Sequence, residues 1–171
     1  MFISDGTIPL EKRKIQNCNM SKIIFTCLIS LGFIFLSSCQ KDYVKLNDEE
    51  INDYLSKNNL QAEKTSEGLY YIINEEGTGD RPTVSDRVTV HYSGYLTNGT
   101  IFDSSYDRGQ RATFPLSGVI KGWQMGIPKI KEGGSCKLII PSHLAYGANP
   151  PSGSIPKNAV LIFDIELFEV N

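Results

Sequence analysis

The stretch RVTVHYSGYLTNGTIFDSSY, residues 87–106, constrains the fold more than any other. Val88, Val90, Tyr92 and Gly94 fall on one face of it and Thr89, His91, Ser93 and Tyr95 on the other, the period-two pattern of a half-buried strand. Asn98-Gly99 then separates this run from IFDSSY, and Asn-Gly between alternating segments is the strongest short-range signal of a β-hairpin. A chain with this hairpin has to bury one face of an antiparallel sheet.

The remainder from Gly68 onward supplies partners. LYYII, ATFPL, SCKLII and VLIFDIELFEV read as further strands, and Pro115 suits an edge or a bulge. In the last of these Leu161, Phe163, Ile165 and Leu167 form an apolar face, while Val160, Ile162, Asp164, Glu166 and Phe168 form a mixed one. That contrast predicts a sheet covered on a single side. Between the strands, VIKGWQMGIPKI holds the only tryptophan of the chain. It predicts a short helix with Ile120, Trp123 and Ile127 on one face, closed by Pro128. Gly122 reads as clearing the flank of Trp123, and Gly126 as allowing close packing on the sheet. Upstream, LNDEEINDYLSKNNLQAE predicts a helix with Asn47 as N-cap, Glu50 completing a capping box, and Ile51, Tyr54 and Leu55 as a narrow apolar stripe. Gln40 to Leu46 reads as a polar tether. The sum is an α+β domain: an antiparallel sheet of about five strands wrapped around one short α-helix, with a short N-terminal helix.

The first part of the chain reads differently. Lys22, the apolar run from Ile23 to Leu36 and the small residues before Cys39 have the layout of a secretory signal. The run is shorter than the ~20 residues of a spanning helix, and no basic stop-transfer cluster follows it. LSSC resembles the bacterial lipobox, so Cys39 is expected to be the lipidated mature N-terminus. Met20 begins a complete signal by itself. The expected organisation is therefore 1–38 as upstream segment and signal peptide, 39–67 as lipidated tether and short helix, and 68–171 as the folded domain. Cys18 and Cys27 fall in the discarded part, which leaves Cys136 without a disulfide partner. Its parity with Leu138 and Ile140 predicts a buried, inert thiol. From Cys39 onward 13 Lys and Arg stand against 17 Asp and Glu, a net charge of −4, which argues against a nucleic-acid partner.

Familiar catalytic sets are missing. His91 and His143 are the only histidines, and neither has metal-ligand spacing. His91 reads as an exposed side chain. Neither a nucleophile elbow nor a phosphate-binding glycine loop occurs, and no cofactor is expected. An excess of aromatic and aliphatic residues beside turns stands out instead: Tyr92, Phe102, Phe114, Val119, Ile120, Trp123, Tyr146, Ile155 and Phe163. Any one of them alone fits a core. As a set, with Asp103 among them, they predict an apolar pocket with a few polar groups at its rim.

VHYSGYLTNGTIFDSSYDR, VIKGWQMGIPKIKEGG, KLIIPSHLAYGA and IPKNAVLIFDIEL resemble, in order and spacing, the FKBP-type (tacrolimus-binding) peptidyl-prolyl cis–trans isomerases. The resemblance runs from about Gly68 to Val170 and implies a twisted antiparallel sheet curling around a short helix, with a prolyl pocket between them. It implies Trp123 as pocket floor and Tyr92, Phe102, Val119, Ile120 and Phe163 as walls. Asp103 becomes the carboxylate that orders Tyr92, and Tyr146 and the Ile120 N–H become donors to the ligand. Phe114 and Ile155 are expected to touch substrate. Ala112 stands where founding members carry a wall phenylalanine, Pro151 where they carry a histidine, and PLSGVI is two residues shorter before Val119. These departures bear on inhibitor affinity and substrate preference. The expected partners are proline-containing folding proteins and tacrolimus-like macrolides, and the expected location is the bacterial cell envelope, with a lipid anchor to the membrane. The expected state is a monomer, since the long dimerising helical extension of some members is not seen. The rival expectation is a non-catalytic envelope chaperone or peptide-binding module on the same fold.

Overall fold

The computed structural model describes residues 43–151 and 153–171. Helix α1 covers residues 43–57 of the described chain. Seven strands follow in one antiparallel sheet: β1 (Glu63–Lys64), β2 (Tyr70–Glu75), β3 (Arg87–Leu96), β4 (Ile101–Ser104), β5 (Ala112–Pro115), β6 (Ser135–Ile140) and β7 (Leu161–Val170). Their order is β1-β2-β6-β7-β3-β4, with β5 also on β3. β5 pairs the first half of β3, from Arg87 to Val90, and β4 the second half, from Ser93 to Tyr95. The two short strands thus share one lane. With the two-residue β1 set aside, the sheet has the five lanes the alternation predicts.

The Asn98-Gly99 hairpin forms as expected. Gly99 has φ 86°, a region open to glycine at no steric cost, and its N–H donates to Leu96 O at 2.9 Å. Helix α2 (Lys121–Gly126) crosses the concave face and continues into a 3-10 turn, Ile127–Lys129. Against it pack Val88, Val90 and Tyr92 of β3, Leu138 and Ile140 of β6, and Phe163, Ile165 and Leu167 of β7, joined by Trp123, Ile127 and Ile130 in one core. Cys136 lies buried in the same core as a free thiol. Burial, and then the charge of Asp164, pushes that thiol up to about 12, so it is held as an uncharged core residue.

Both glycines of α2 serve its approach to β6. A Cβ on Gly126 would stand 2.5 Å from Leu138 Cδ1, and one on Gly122 would collide with Ile140. Gly122 therefore clears the sheet rather than the flank of Trp123.

The expectation of a sheet covered on one side is corrected. Ile51 and Leu55 of α1 pack on Tyr70, Ile139, Val160 and Ile162 of the opposite face, a second buried cluster. The mixed pattern of β7 follows this cover: Val160 and Ile162 are buried under α1, Asp164 is half-buried and paired, and Glu166 is exposed. Lys137 Nζ donates to Asp164 at 2.5 Å and Tyr95 OH donates to the same carboxylate at 2.9 Å. A half-covered charge needs such partners.

The N-cap expectation for Asn47 also fails. The helix is already formed at residue 43, so residues 43–46 are helical rather than tether, and Asn47 lies inside it with 3% exposure. Its side chain is used in tertiary contacts instead. Gln40, Cys39 and the expected signal peptide fall outside the described residues.

Candidate active site

A cleft of about 260 Å³ opens where α2 meets the concave face of the sheet. Tyr92, Phe102, Asp103, Phe114, Gly118, Val119, Ile120, Trp123, Tyr146 and Phe163 line it. Nine of the ten residues expected to form the pocket are thus brought together. Ile155 is the exception: it is 6% exposed and packed in the core, and it is not among the lining residues. Its loop turns the side chain inward, and Gly118 takes a place at the rim that the sequence reading did not assign.

Trp123 forms the floor. Its ring stands edge-on to Tyr92 at 5.2 Å and to Phe163 at 5.1 Å, with Phe114 tilted against it at 5.4 Å. Phe102 stands edge-on to Phe163 at 5.5 Å. Such edge-to-face pairs add about 0.5–1.5 kcal/mol each beyond the area they bury. Trp123 Nε1 is buried without a hydrogen-bond partner among the described residues, so ring packing alone fixes the indole. Gly94 makes the nest possible, because a Cβ there would fall 2.8 Å from both Phe102 and Phe163.

Phe102 and Asp103 are consecutive in β4 yet both face the cleft. In a regular strand they would point to opposite sides of the sheet. The register explains this: Gly94 pairs with Asp103 but Tyr95 pairs with Ile101, so Phe102 is an extra, unpaired residue. A bulge of this kind re-aims a side chain.

The polar rim is built around Tyr92. Its hydroxyl donates to Asp103 Oδ2 at 2.5 Å and accepts from Arg108 Nη2 at 2.9 Å, and Arg108 also pairs with the second oxygen of Asp103. Burial, and then the hydrogen bond to Asp103, raises the Tyr92 phenol above its ordinary value. Behind it, Ser105 Oγ accepts the Tyr92 N–H at 2.8 Å and lies 2.8 Å from His91 Nδ1. His91 is not the exposed side chain expected of it: it is half-buried and stacked on Tyr106 at 4.4 Å. Arg108 and Ser105 are positioning groups that the sequence reading passed over. The spacing of Arg108 from Asp103 across a turn was the available signal.

The rim also carries donors. Tyr146 follows the 3-10 turn Ser142–Leu144 and remains 36% exposed, with its phenol raised by burial and then by the charge of Asp103. Ile120 is the N-cap of α2 in extended conformation, φ −59° and ψ 151°, so its N–H is one of the donors a helix leaves without an intrahelical partner. Gln124 Nε2 holds the adjoining wall by donating to Val119 O at 2.7 Å and Ser117 O at 3.2 Å. The arrangement leaves room for a small apolar ring on the indole, with donors within the same cleft for a carbonyl beside it. The volume is below the ~300–1,000 Å³ of clefts that enclose drug-sized ligands and suits a residue-sized group.

Comparison with known proteins agrees. Residues 79–168 match the family model of the FKBP-type peptidyl-prolyl cis-trans isomerase. The chain is 46% identical over 162 residues to the FKBP-type peptidyl-prolyl cis-trans isomerase FkpA of Aeromonas hydrophila, covering 94% of this chain and 60% of that one. It is 46% identical over 126 residues to the peptidyl-prolyl cis-trans isomerase Mip of Coxiella burnetii, covering 72% of this chain and 55% of that one. The chain thus spans only about half the length of these curated relatives. The crystal structure of FkpA from Escherichia coli superposes with a TM-score of 0.67 at 36% identity, over 92% of this chain and 74% of that one. AtFKBP13 gives 0.59 at 36% identity, over 65% and 99%. By its sequence, its sheet and the rings around Trp123, the chain belongs to the FKBP-type peptidyl-prolyl cis-trans isomerase family.

Proposed function

We propose that the protein is a peptidyl-prolyl cis–trans isomerase that accelerates rotation about Xaa-Pro bonds in exported polypeptides. The observation that carries this reading is the aromatic cleft floored by Trp123, with Tyr146 and the Ile120 N–H at its edge. Rotation about a peptide bond faces a barrier of ~18–20 kcal/mol because amide resonance has to be broken, and takes tens to hundreds of seconds for an unaided prolyl bond. A twisted amide has a less polar carbonyl than a planar one. An apolar, water-poor cleft therefore favours the twisted form, which is differential binding of the transition state. The proline ring sits on Trp123 between Tyr92, Phe102 and Phe163. Tyr146 OH and the Ile120 N–H orient the flanking carbonyls, and Phe114 and Val119 complete the wall. Asp103 and Arg108 hold the Tyr92 ring upright. No proton transfer is required of them.

A protease-coupled proline-peptide assay with tacrolimus as inhibitor tests the reading. Acceleration by wild type and its loss in Asp103→Val and Phe102→Ala are expected. Wild type without acceleration would favour a peptide-binding module without turnover, and variants that accelerate as well as wild type would refute the cleft as the catalytic site.

The same proposal places the protein, as a monomer, in the bacterial envelope on a lipid carried by Cys39, after removal of 1–38. Its support is the signal layout and the LSSC sequence. No helix among the described residues is long and apolar enough to cross a membrane. Metabolic labelling with a fatty acid should mark wild type and leave Cys39→Ala unmarked; equal labelling of both would refute the anchor.

A further inference from the structure

Asn47 lies outside the residues matched by the family model and on the far side of the sheet from the cleft, yet its side chain reaches the loop that carries Tyr146. Its Oδ1 accepts the Ser142 N–H at 2.9 Å and the Ser142 hydroxyl at 2.6 Å, and its Nδ2 donates to Asn158 O at 3.1 Å. Both Asn47 and Ser142 are nearly completely buried, at 3% and 4% exposure. Ser142 and Asn158 are the two feet of the long connection between β6 and β7. Between them the loop is closed by Gly147 N–H to Ser142 O at 2.9 Å and Asn158 N–H to Gly147 O at 2.8 Å. Tyr146 is the residue before that closure. One buried amide therefore ties both ends of the loop to α1, and a primary amide is the neutral side chain that can accept at one foot while donating at the other.

We propose that Asn47 is a positioning residue: by tying Ser142 to Asn158 it fixes where the Tyr146 hydroxyl stands over the cleft, so that α1 sets the geometry of the site from the opposite face of the sheet. The proposal rests on the isomerase reading for its kinetic consequence and on the loop geometry alone for its structural one. Removing the amide leaves the buried Ser142 N–H and hydroxyl and the part-buried Asn158 carbonyl without this partner, and the loop shifts until water or new partners reach them.

The test uses the full chain, below its melting temperature. Amide hydrogen exchange at Gly147 and Asn158 should quicken about tenfold in Asn47→Ala, as expected for local opening of the loop. In Asn47→Asp, which keeps the acceptor for Ser142 and loses the donor to Asn158, the Ser142 amide should stay protected while Asn158 loses protection. In the prolyl assay kcat/KM should fall about tenfold in Asn47→Ala, because displacing a substrate-orienting donor misaligns the bound peptide. It should fall less than about twofold when the same change is made in Tyr146→Phe, because coupled residues are not additive. Equal factors in both backgrounds, or loop amides unchanged in both Asn47 variants, would overturn the proposal. If wild type has no isomerase activity, the functional reading falls by itself, and the exchange data still decide the loop geometry.

Discussion

Two glycine-to-alanine changes in one hairpin separate the shape of the cleft from the stability of the fold. At Gly94 an added Cβ would lie 2.8 Å from Phe102 Cε2 and 2.8 Å from Phe163 Cε1, where ordinary contact begins at 3.4 Å. Each ring has to retreat by about 0.6 Å, and Phe163 already stands edge-on to Trp123 at 5.1 Å and to Phe102 at 5.5 Å. The backbone at Gly94 is not left-handed, so the cost is steric, about 1–3 kcal/mol for overpacking a dense core. At Gly99 the reverse holds: nothing lies within 4 Å of the added atom, but φ is +86°, and the cost is conformational, about 1–2 kcal/mol. Thermal melting should therefore show both variants lowered by comparable amounts, roughly 5–15 °C for a domain of this size. The prolyl assay should part them. Gly94→Ala displaces two walls of the cleft, and kcat/KM should fall by about ten- to a hundredfold, while Gly99→Ala, at the hairpin tip, should keep wild-type turnover at temperatures where it is folded. Wild-type activity in Gly94→Ala, or an equal loss in both variants, would refute the assignment of the aromatic nest as the site.

Arg108→Ala should lower kcat/KM severalfold while costing under about 1 kcal/mol of stability, because its ion pair with Asp103 is half-exposed; urea unfolding beside the peptide assay checks both halves. Burial raises the Cys136 thiol from 9.0 to about 12, so its contribution to stability is fully present below pH 9 and is lost as pH rises towards 12. Over that window wild type should lose up to about 1.4 kcal/mol per pH unit more than Cys136→Ala, read from urea midpoints at successive pH values. Ile51 has no exposed surface, and Ile51→Ala should cost about 2–5 kcal/mol if α1 is an integral layer of the domain; a change below 0.5 kcal/mol, in the range of surface substitutions, would mean that α1 is a removable appendage.

How far the sequence could be read followed from which forces have a period. The alternation of β3 gave its bounds residue for residue, and Asn98-Gly99 located the hairpin, because both signals are local. Most of the cleft was legible as well, since its aromatic and aliphatic residues, each compatible with a core alone, recur beside turns as a set. What escaped depends on partners distant in sequence. Asn47 carries the local signature of an N-cap, followed as it is by acidic residues, but its amide is taken up by Ser142 and Asn158, 95 and 111 positions away. Asp164 and Glu166 make the outer face of β7 look half-polar, and only the partners of Asp164, Lys137 and Tyr95, and the exposure of Glu166 show why the near end of that face can lie under α1. Ile155 shares the composition of a cleft residue and differs only in where its loop turns. His91 looked exposed because its cover, Tyr106 and Phe168, comes from a turn and from the adjacent strand.

The depth of the cleft has a further origin that side chains do not announce. Gly126 and Gly122 bring α2 down on Leu138 and Ile140 of β6, and with it the ring of Trp123, which is why the tryptophan is a floor at 4% exposure rather than a projecting knob. Gly94 then lets Phe102 and Phe163 meet above that floor. The bulge at Phe102 turns two consecutive residues of β4 inward, so that one apolar wall and one carboxylate stand side by side. The site therefore consists of rings whose spacing is set by three missing Cβ atoms and one surplus residue. Among the residues lining the cleft there is no nucleophile, and the one carboxylate, Asp103, is taken up by Tyr92 and Arg108. On the isomerase reading proposed above, the work of the cleft is to hold an apolar cavity of fixed shape. For the proposed reaction, whose barrier is amide resonance, that shape would itself be the catalyst.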